Sequence, residues 1–321
     1  MADGAVVQLP EWTRSANEHV GHSLRPGGPL RISGILFRYP QAPDDEASLF
    51  GMRIFNCPEA VVEDCAFVVE PTSGGVEKVT FRYDGRSISF DGDGQAFIPR
   101  LIVRDSLFRN CMTVVSQYGR QERPVVSVTR CWFLGEDSNP LALTVSNLTE
   151  TNVVENVFDI RKDGWIGLTG HRTLPATGGH LRFSRNTVMG GFINIDGAQL
   201  DEATLRWNHF CLATSNASTA GLIGKAPAHW QFADNRFSTL DNQLSENPIR
   251  PSPGGMDHPA DFLSTDPLAK DYACIPENSP FGRVGRAGNE PGFAGTFPPG
   301  PASAEGDWFT RLRDRWKDED E

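Results

Sequence analysis

The sequence predicts an all-β fold, a parallel β-helix solenoid of about eight coils with an irregular C-terminal extension. Two columns of residues predict it. Eight segments align without gaps: LRISGILF (30–37), AVVEDCAF (60–67), LIVRDSLF (101–108), VSVTRCWF (126–133), TNVVENVF (151–158), LRFSRNTV (181–188), ATLRWNHF (203–210) and WQFADNRF (230–237). Their last position reads Phe37, Phe67, Phe108, Phe133, Phe158, Val188, Phe210 and Phe237. The position five residues earlier reads Ile32, Val62, Val103, Val128, Val153, Phe183, Leu205 and Phe232, apolar in all eight. Self-similarity at this period marks stacked repeats, each burying its apolar face against the next. Two residues before the anchor stand Ile35, Cys65, Ser106, Cys131, Asn156, Asn186, Asn208 and Asn235. A small or amide residue repeated there predicts a sharp turn, because Asn tolerates the left-handed conformation. Stacked Asn side chains also hydrogen-bond from one coil to the next.

The anchors are spaced 30, 41, 25, 25, 30, 22 and 27 residues apart. Short apolar runs lie between them, such as Leu141–Val145, Trp165–Leu168 and Phe192–Ile195, so each coil reads as two or three short strands. VTFRY and RSISF (79–90) flank Asp84-Gly85, the signal of an inserted hairpin, which would leave the 41-residue interval with a coil of ordinary length. Leucine-rich repeats share the apolar and Asn spacing. They need Leu at most core positions and a nearly fixed repeat length, whereas this chain has only 23 Leu and intervals from 22 to 41. A β-helix tolerates such swings, because any turn can lengthen outward without breaking the stack.

Through this repeat pattern, residues 30–240 resemble the right-handed parallel β-helix of the pectate-lyase-like superfamily. Residues 1–29 read as a polar, Gly/Pro-rich lead with no amphipathic capping helix, expected of an irregular cap or of the trailing part of a larger gene product. Residues 241–300 form an irregular Gly/Pro-rich segment, in which DYACIPENSPFGRVGRAG (271–288) is similar to the tail that follows the coils in many bacterial β-helix proteins. Residues 301–321 are a charged tail in which Trp308, Leu312 and Trp316 fall at helical spacing. They predict a short helix at 307–321, either capping the solenoid or docking a partner.

Composition narrows the partners. Lys and Arg number 30 against 41 Asp and Glu, a net charge of −11, which argues against nucleic acid. It equally disfavours a polyanionic sugar unless a cation bridges the two. No apolar run reaches the ~18 residues of a membrane span. The start carries no basic and apolar leader, so a full-length chain would be cytoplasmic. Six cysteines at 57, 65, 111, 131, 211 and 274 lack zinc spacing and read as buried free thiols, with Cys65 and Cys131 two coils apart and beyond disulfide reach.

Enzymes of the resembled superfamily imply motifs to look for. Of the polygalacturonase set, this chain has Asn186-Thr187-Val188 without the aspartate, Gly170-His171-Arg172, and Ile160-Arg161-Lys162 in the wrong order. Of the pectate-lyase set, Trp165-Ile166-Gly167 lacks the aspartate and the adjacent histidine. One stretch still gathers usable groups: Asp159, Arg161, Lys162, Asp163, His171, His180 and Asp196, on consecutive coils around the 158–188 interval. A lyase needs a base and a cation, and a hydrolase needs two carboxylates about 5–10 Å apart. Both inventories occur here, and so does the make-up of a solvated loop. Asp91-Gly92-Asp93-Gly94 hints at calcium but lacks the other carboxylates of a coordination loop, so turn chemistry is the expectation and no cofactor is assigned. His19 and His22 are expected to be exposed.

Two functions are expected from different classes. One is a non-catalytic recognition module for a glycan or a protein, as the C-terminal part of a larger bacterial signalling or surface protein. The alternative is a carbohydrate-active enzyme, a polysaccharide lyase, hydrolase or epimerase.

Overall fold

A computed structural model describes the strands and tight turns between residues 5 and 238, residues 262–264, 266–267, 269–277, 295–297 and 300, and a helix at Trp308–Lys317. Three sheets run the length of the solenoid. Sheet I begins at Ala5–Gln8 and Ile35–Tyr39 and continues through Ala66–Val69, Leu107–Arg109, Trp132–Leu134, Val157–Asp159, Thr187–Met189 and His209–Cys211 to Arg236–Ser238. Sheet II takes Leu30–Ser33, Glu59–Glu63, Arg100–Arg104, Val125–Thr129, Glu150–Val154, His180–Ser184, Glu202–Arg206 and His229–Ala233. Sheet III runs from Thr13–Ser15 and Glu18–Leu24 through Cys111–Ser116, Trp165–Thr169 and Phe192–Asp196 to Gly221–Lys225. The chain visits the sheets in turn, so each strand pairs in parallel with its counterparts one coil away. The exception is the antiparallel pair Thr13–Ser15 with Glu18–Leu24.

Both expected columns form. Direct pairing joins Phe37 to Phe67, Phe108, Phe133, Phe158, Val188, Phe210 and Phe237 in order. The same holds from Ile32 through Val62, Val103, Val128, Val153, Phe183 and Leu205 to Phe232. The rings of Phe37, Phe67, Phe108, Phe133 and Phe158 stack face to face at 4.9, 5.2, 5.0 and 4.7 Å, close to the strand spacing. At Val188 the ring is missing, and Phe183 from sheet II fills in, 6.1 Å from Phe158 and 6.2 Å from Phe210.

The turn from sheet II to sheet I differs from expectation by one residue. The left-handed position is occupied by the residue before the Asn column: Asp64, Asp105, Arg130, Glu155, Arg185, Trp207 and Asp234, with φ between 50° and 59°, and Gly34 at 71°. The Asn that follows points inward and builds the ladder. Asn186 Oδ1 accepts the Asn156 backbone N–H at 2.9 Å, while Asn186 Nδ2 donates to the Val153 carbonyl at 2.9 Å. Asn156, Asn208 and Asn235 repeat the pattern one coil away in each direction. Ser106 holds the same place nearer the N-terminal end, accepting from the Cys65 backbone N–H.

Phe67 pairs directly with Phe108, so the 41-residue interval is a single coil. The first arm of the hairpin expected there, Val79–Asp84, is a strand of sheet III, pairing in parallel with Ser48–Ile54 and Cys111–Ser116. Residues 85–99, with the Asp91–Gly94 run, lie outside the described residues. The ladders also reach upstream of Leu30, because Ala5–Gln8 pairs with Ile35–Arg38, and Glu18–Leu24 with Ser48–Ile54. His19 and His22 sit in that second strand, and their side chains lie outside the described set. Cys57, Cys65 and Cys131 are free and buried, Cys274 is buried as well, and burial pushes the Cys65 thiol up to about 11. The side chains of Cys111 and Cys211 are outside the described set.

Thr151 breaks the apolar run of its own inward column on sheet II. Thr151 sits between Val126 and Leu181, 1% exposed, and its hydroxyl has no partner. Valine has nearly the same shape without the buried hydroxyl. Thr151→Val is therefore expected to raise stability by about 1 kcal/mol in urea denaturation. A loss of stability would mean the hydroxyl is satisfied.

Candidate functional site

Sheets I and II present different outer surfaces. Sheet I is covered. Its outward residues Leu36, Ala66, Leu107, Trp132, Leu134, Val157 and Met189 form one apolar cluster with Tyr272, Ala273, Phe309 and Leu312. Trp132 lies 5.5 Å from the Tyr272 ring and 4.9 Å from Phe309. The helix Trp308–Lys317 therefore packs on the side of the solenoid, with Phe309 and Leu312 inward. Arg313 Nη1 donates to the Lys270 carbonyl at 2.9 Å, and Arg315 reaches Asp64 on the turn edge. Thr296 stitches the same segment to the coil, because its hydroxyl donates to the Asn156 carbonyl at 2.7 Å and its N–H donates to Thr187 Oγ1.

Asp159 lies beneath this cover. It is 1% exposed, at the register position between Leu134 and Met189, and it accepts a hydrogen bond from Tyr272 Oη. His209 is buried nearby on the same sheet with its ring 5.2 Å from Phe262, and burial pushes its pKa down to about 4, so it is neutral near pH 7. Neither group faces solvent. The signal for this covered face was in the sequence: WFL (132–134) is apolar on both alternating faces, as a strand buried on both sides must be.

Sheet II is open. Its central outward column runs Arg31, Val61, Ile102, Ser127, Asn152, Arg182, Thr204 and Gln231, in direct register. Arg31, Arg100, Arg104, Arg182, Glu150, His180, His229 and Gln231 on this face are exposed. Toward the N-terminal end the charges are internally matched. Arg104 and Arg31 both grip Glu63, and the Arg104 hydrogen bond, followed by Arg31, holds that carboxyl below its usual range against the opposing effect of burial. Arg100 pairs with Glu59 at 3.1 Å. Along the turn edge Arg130 pairs with Asp105, Arg185 with Glu155, and Arg206 with Asp234. Such exposed pairs add little stability, yet they leave no uncompensated basic stripe along this part of the face.

Of the sequence-predicted site residues, the three that the structure describes lie on three different sheets. Asp159 belongs to sheet I, His180 to sheet II, and Asp196 to sheet III, where it pairs with Thr169 and Lys225. His180 Nδ1 lies 3.6 Å from Glu202 Oε2 on the exposed face. Arg161, Lys162, Asp163 and His171 lie outside the described residues, and so does the side chain of Asp196. Among the described residues no three His, Cys, Asp or Glu are gathered as ligands for a metal ion, and no helix is long and apolar enough to cross a membrane. No protein-family model, curated protein or solved structure matches this chain.

Proposed function

We propose that the chain is a right-handed parallel β-helix of the pectate-lyase-like kind, acting as a non-catalytic recognition module that binds an extended, neutral glycan along sheet II. Right-handedness follows from the strong preference of parallel crossovers for that hand. The open, register-aligned outer face of sheet II carries the functional reading. Ser127, Asn152, Arg182, Thr204 and Gln231 recur at one strand spacing, about 4.8 Å, close to the length of one pyranose unit in an extended chain. Hydroxyl, amide and guanidinium groups in such a row supply the donors and acceptors that sugar hydroxyls need. The matched ion pairs and the net charge of −11 favour a neutral chain over a polyanion. The burial of Asp159 beneath Tyr272 supports a non-catalytic reading, since that carboxylate cannot meet a polymer in solvent.

The test is affinity electrophoresis against neutral and acidic polysaccharides, with ultraviolet and reducing-sugar assays for products. Retardation by a neutral glycan, reduced at least about tenfold by Asn152→Ala with Arg182→Ala, is expected, a loss of roughly 1.4 kcal/mol or more in binding. No turnover of pectate, alginate or polygalacturonate is expected. Turnover abolished by Asp163→Ala or His171→Ala, with folding intact, would establish the enzyme instead. Retention of no glycan at all would leave a protein ligand as the reading to pursue.

A further inference from the structure

The cover over sheet I belongs to an apolar cluster separate from the core inside the coils, and no described strand of the three sheets comes from it. His209 lies at that seam. It is 2% exposed, with its ring against Phe262 of the cover. Gly295 of the cover approaches it as closely. At a φ of 91°, its backbone runs so near that a Cβ there would stand 3.2 Å from His209 Cβ and 2.9 Å from Thr187 Oγ1. The Gly295 N–H donates to the Trp207 carbonyl at 2.7 Å, two residues before His209, which pins this contact.

We infer that His209 makes the C-terminal cover an acid-released latch: protonation of its imidazole drives the cover off sheet I while the coils stay stacked. A cation there needs water, and an aromatic ring with a backbone in contact leaves no room for a hydration shell. The neighbouring groups are accounted for. In register on sheet I stand Thr187 and Arg236, whose side chain is outside the described set. Asp159 is two rungs away and engaged by Tyr272, Arg313 is held by the Ala269 and Lys270 carbonyls, and Arg315 by Asp64. Beneath the cover burial sets the imidazole near 4, against about 6.5 in water. The uncovered form therefore takes up the proton first. Closure is at full strength above about pH 6.5 and weakens as pH falls toward 4, by up to about 300-fold. Opening bares Trp132, Val157 and Met189, whereas the interior Phe stack and the Asn ladder belong to the coils alone. The inference is independent of glycan binding, because it concerns sheet I and not sheet II.

Hydrogen–deuterium exchange of the intact chain at about pH 7.5 and about pH 5.5, corrected for the intrinsic pH dependence of exchange, tests the latch. Residues 269–277 and 308–317 are expected to open about tenfold more at the lower pH, while the sheet II strands keep their protection. His209→Gln and His209→Leu carry no titrating group there and should remove the difference. Imidazole nitrogen shifts, with His209 assigned by its loss in the glutamine variant, should show it neutral in the closed form at the lower pH. Equal protection of the cover at both pH values, or a pH effect that survives in both variants, would overturn the latch. So would a His209 that titrates in its ordinary range beneath a closed cover, or loss of sheet II protection together with that of the cover.

Discussion

Asn186→Ala is expected to lower the stability of the chain by about 4 kcal/mol, a fall in Tm on the order of 10 °C. Asn186 is fully buried and serves two coils at once. Its Oδ1 accepts from the Asn156 backbone N–H at 2.9 Å and from Asn156 Nδ2 at 3.0 Å. Its Nδ2 donates to the Val153 carbonyl at 2.9 Å and to Asn208 Oδ1 at 3.1 Å. Truncation strips partners from one backbone donor, one side-chain donor and the Val153 carbonyl, in a place water cannot enter. Each such orphan costs roughly 1–3 kcal/mol. Asn186→Asp keeps the acceptor but turns oxygen toward the Val153 carbonyl and Asn208 Oδ1, and it should be nearly as damaging. Urea denaturation with circular dichroism reads both. A loss below about 1 kcal/mol for the alanine variant would show the ladder to be a bystander.

Much of this fold was legible because a solenoid repeats its physics. An aromatic at seven of the eight anchors and an apolar residue five positions earlier mark inward positions on two sheets, and both columns pair in the expected register. The Asn column was legible as a turn device, but the left-handed backbone falls on Glu155, Arg185 or Trp207 rather than on the Asn that follows. Residue identity at that position varies from acid to base to aromatic, so no pattern marks it. Val79–Asp84 read as half of a hairpin because alternation and Asp84-Gly85 are local signals, whereas its pairing partners are set by the stack.

The C-terminal cover was the least legible part. Phe262, Tyr272, Phe297 and Phe309 follow no period, since each answers to whatever outward side chain of sheet I lies beneath it. The spacing of Trp308 and Leu312 predicted the helix but not the face it covers. The candidate site suffered from the opposite problem. Asp159, His180 and Asp196 are near in sequence terms and fall on two successive coils, yet each coil turns through three sheets, and proximity along the chain distributes them over all three.

A double exchange at Phe183 and Val188 should restore most of the stability that either single change removes. Phe183 is the only aromatic among the described side chains of its column, and Val188 the only aliphatic residue among the anchors. Their rings and methyls compensate: the Phe183 ring stands where the anchor ring would be, stacked at 19° to Phe158 and 11° to Phe210. Phe183→Val alone opens a cavity in the aromatic stack and should cost about 2–4 kcal/mol. Val188→Phe alone drives a second ring into space already filled and should cost about 1–3 kcal/mol. Together they reproduce the arrangement one coil earlier, where Val153 sits beside Phe158, and the double variant is expected within about 1 kcal/mol of the parent. Denaturation of all four proteins gives the coupling directly. Additive losses would mean that Phe183 fills no vacancy left by Val188, and that the two sheets pack their columns independently.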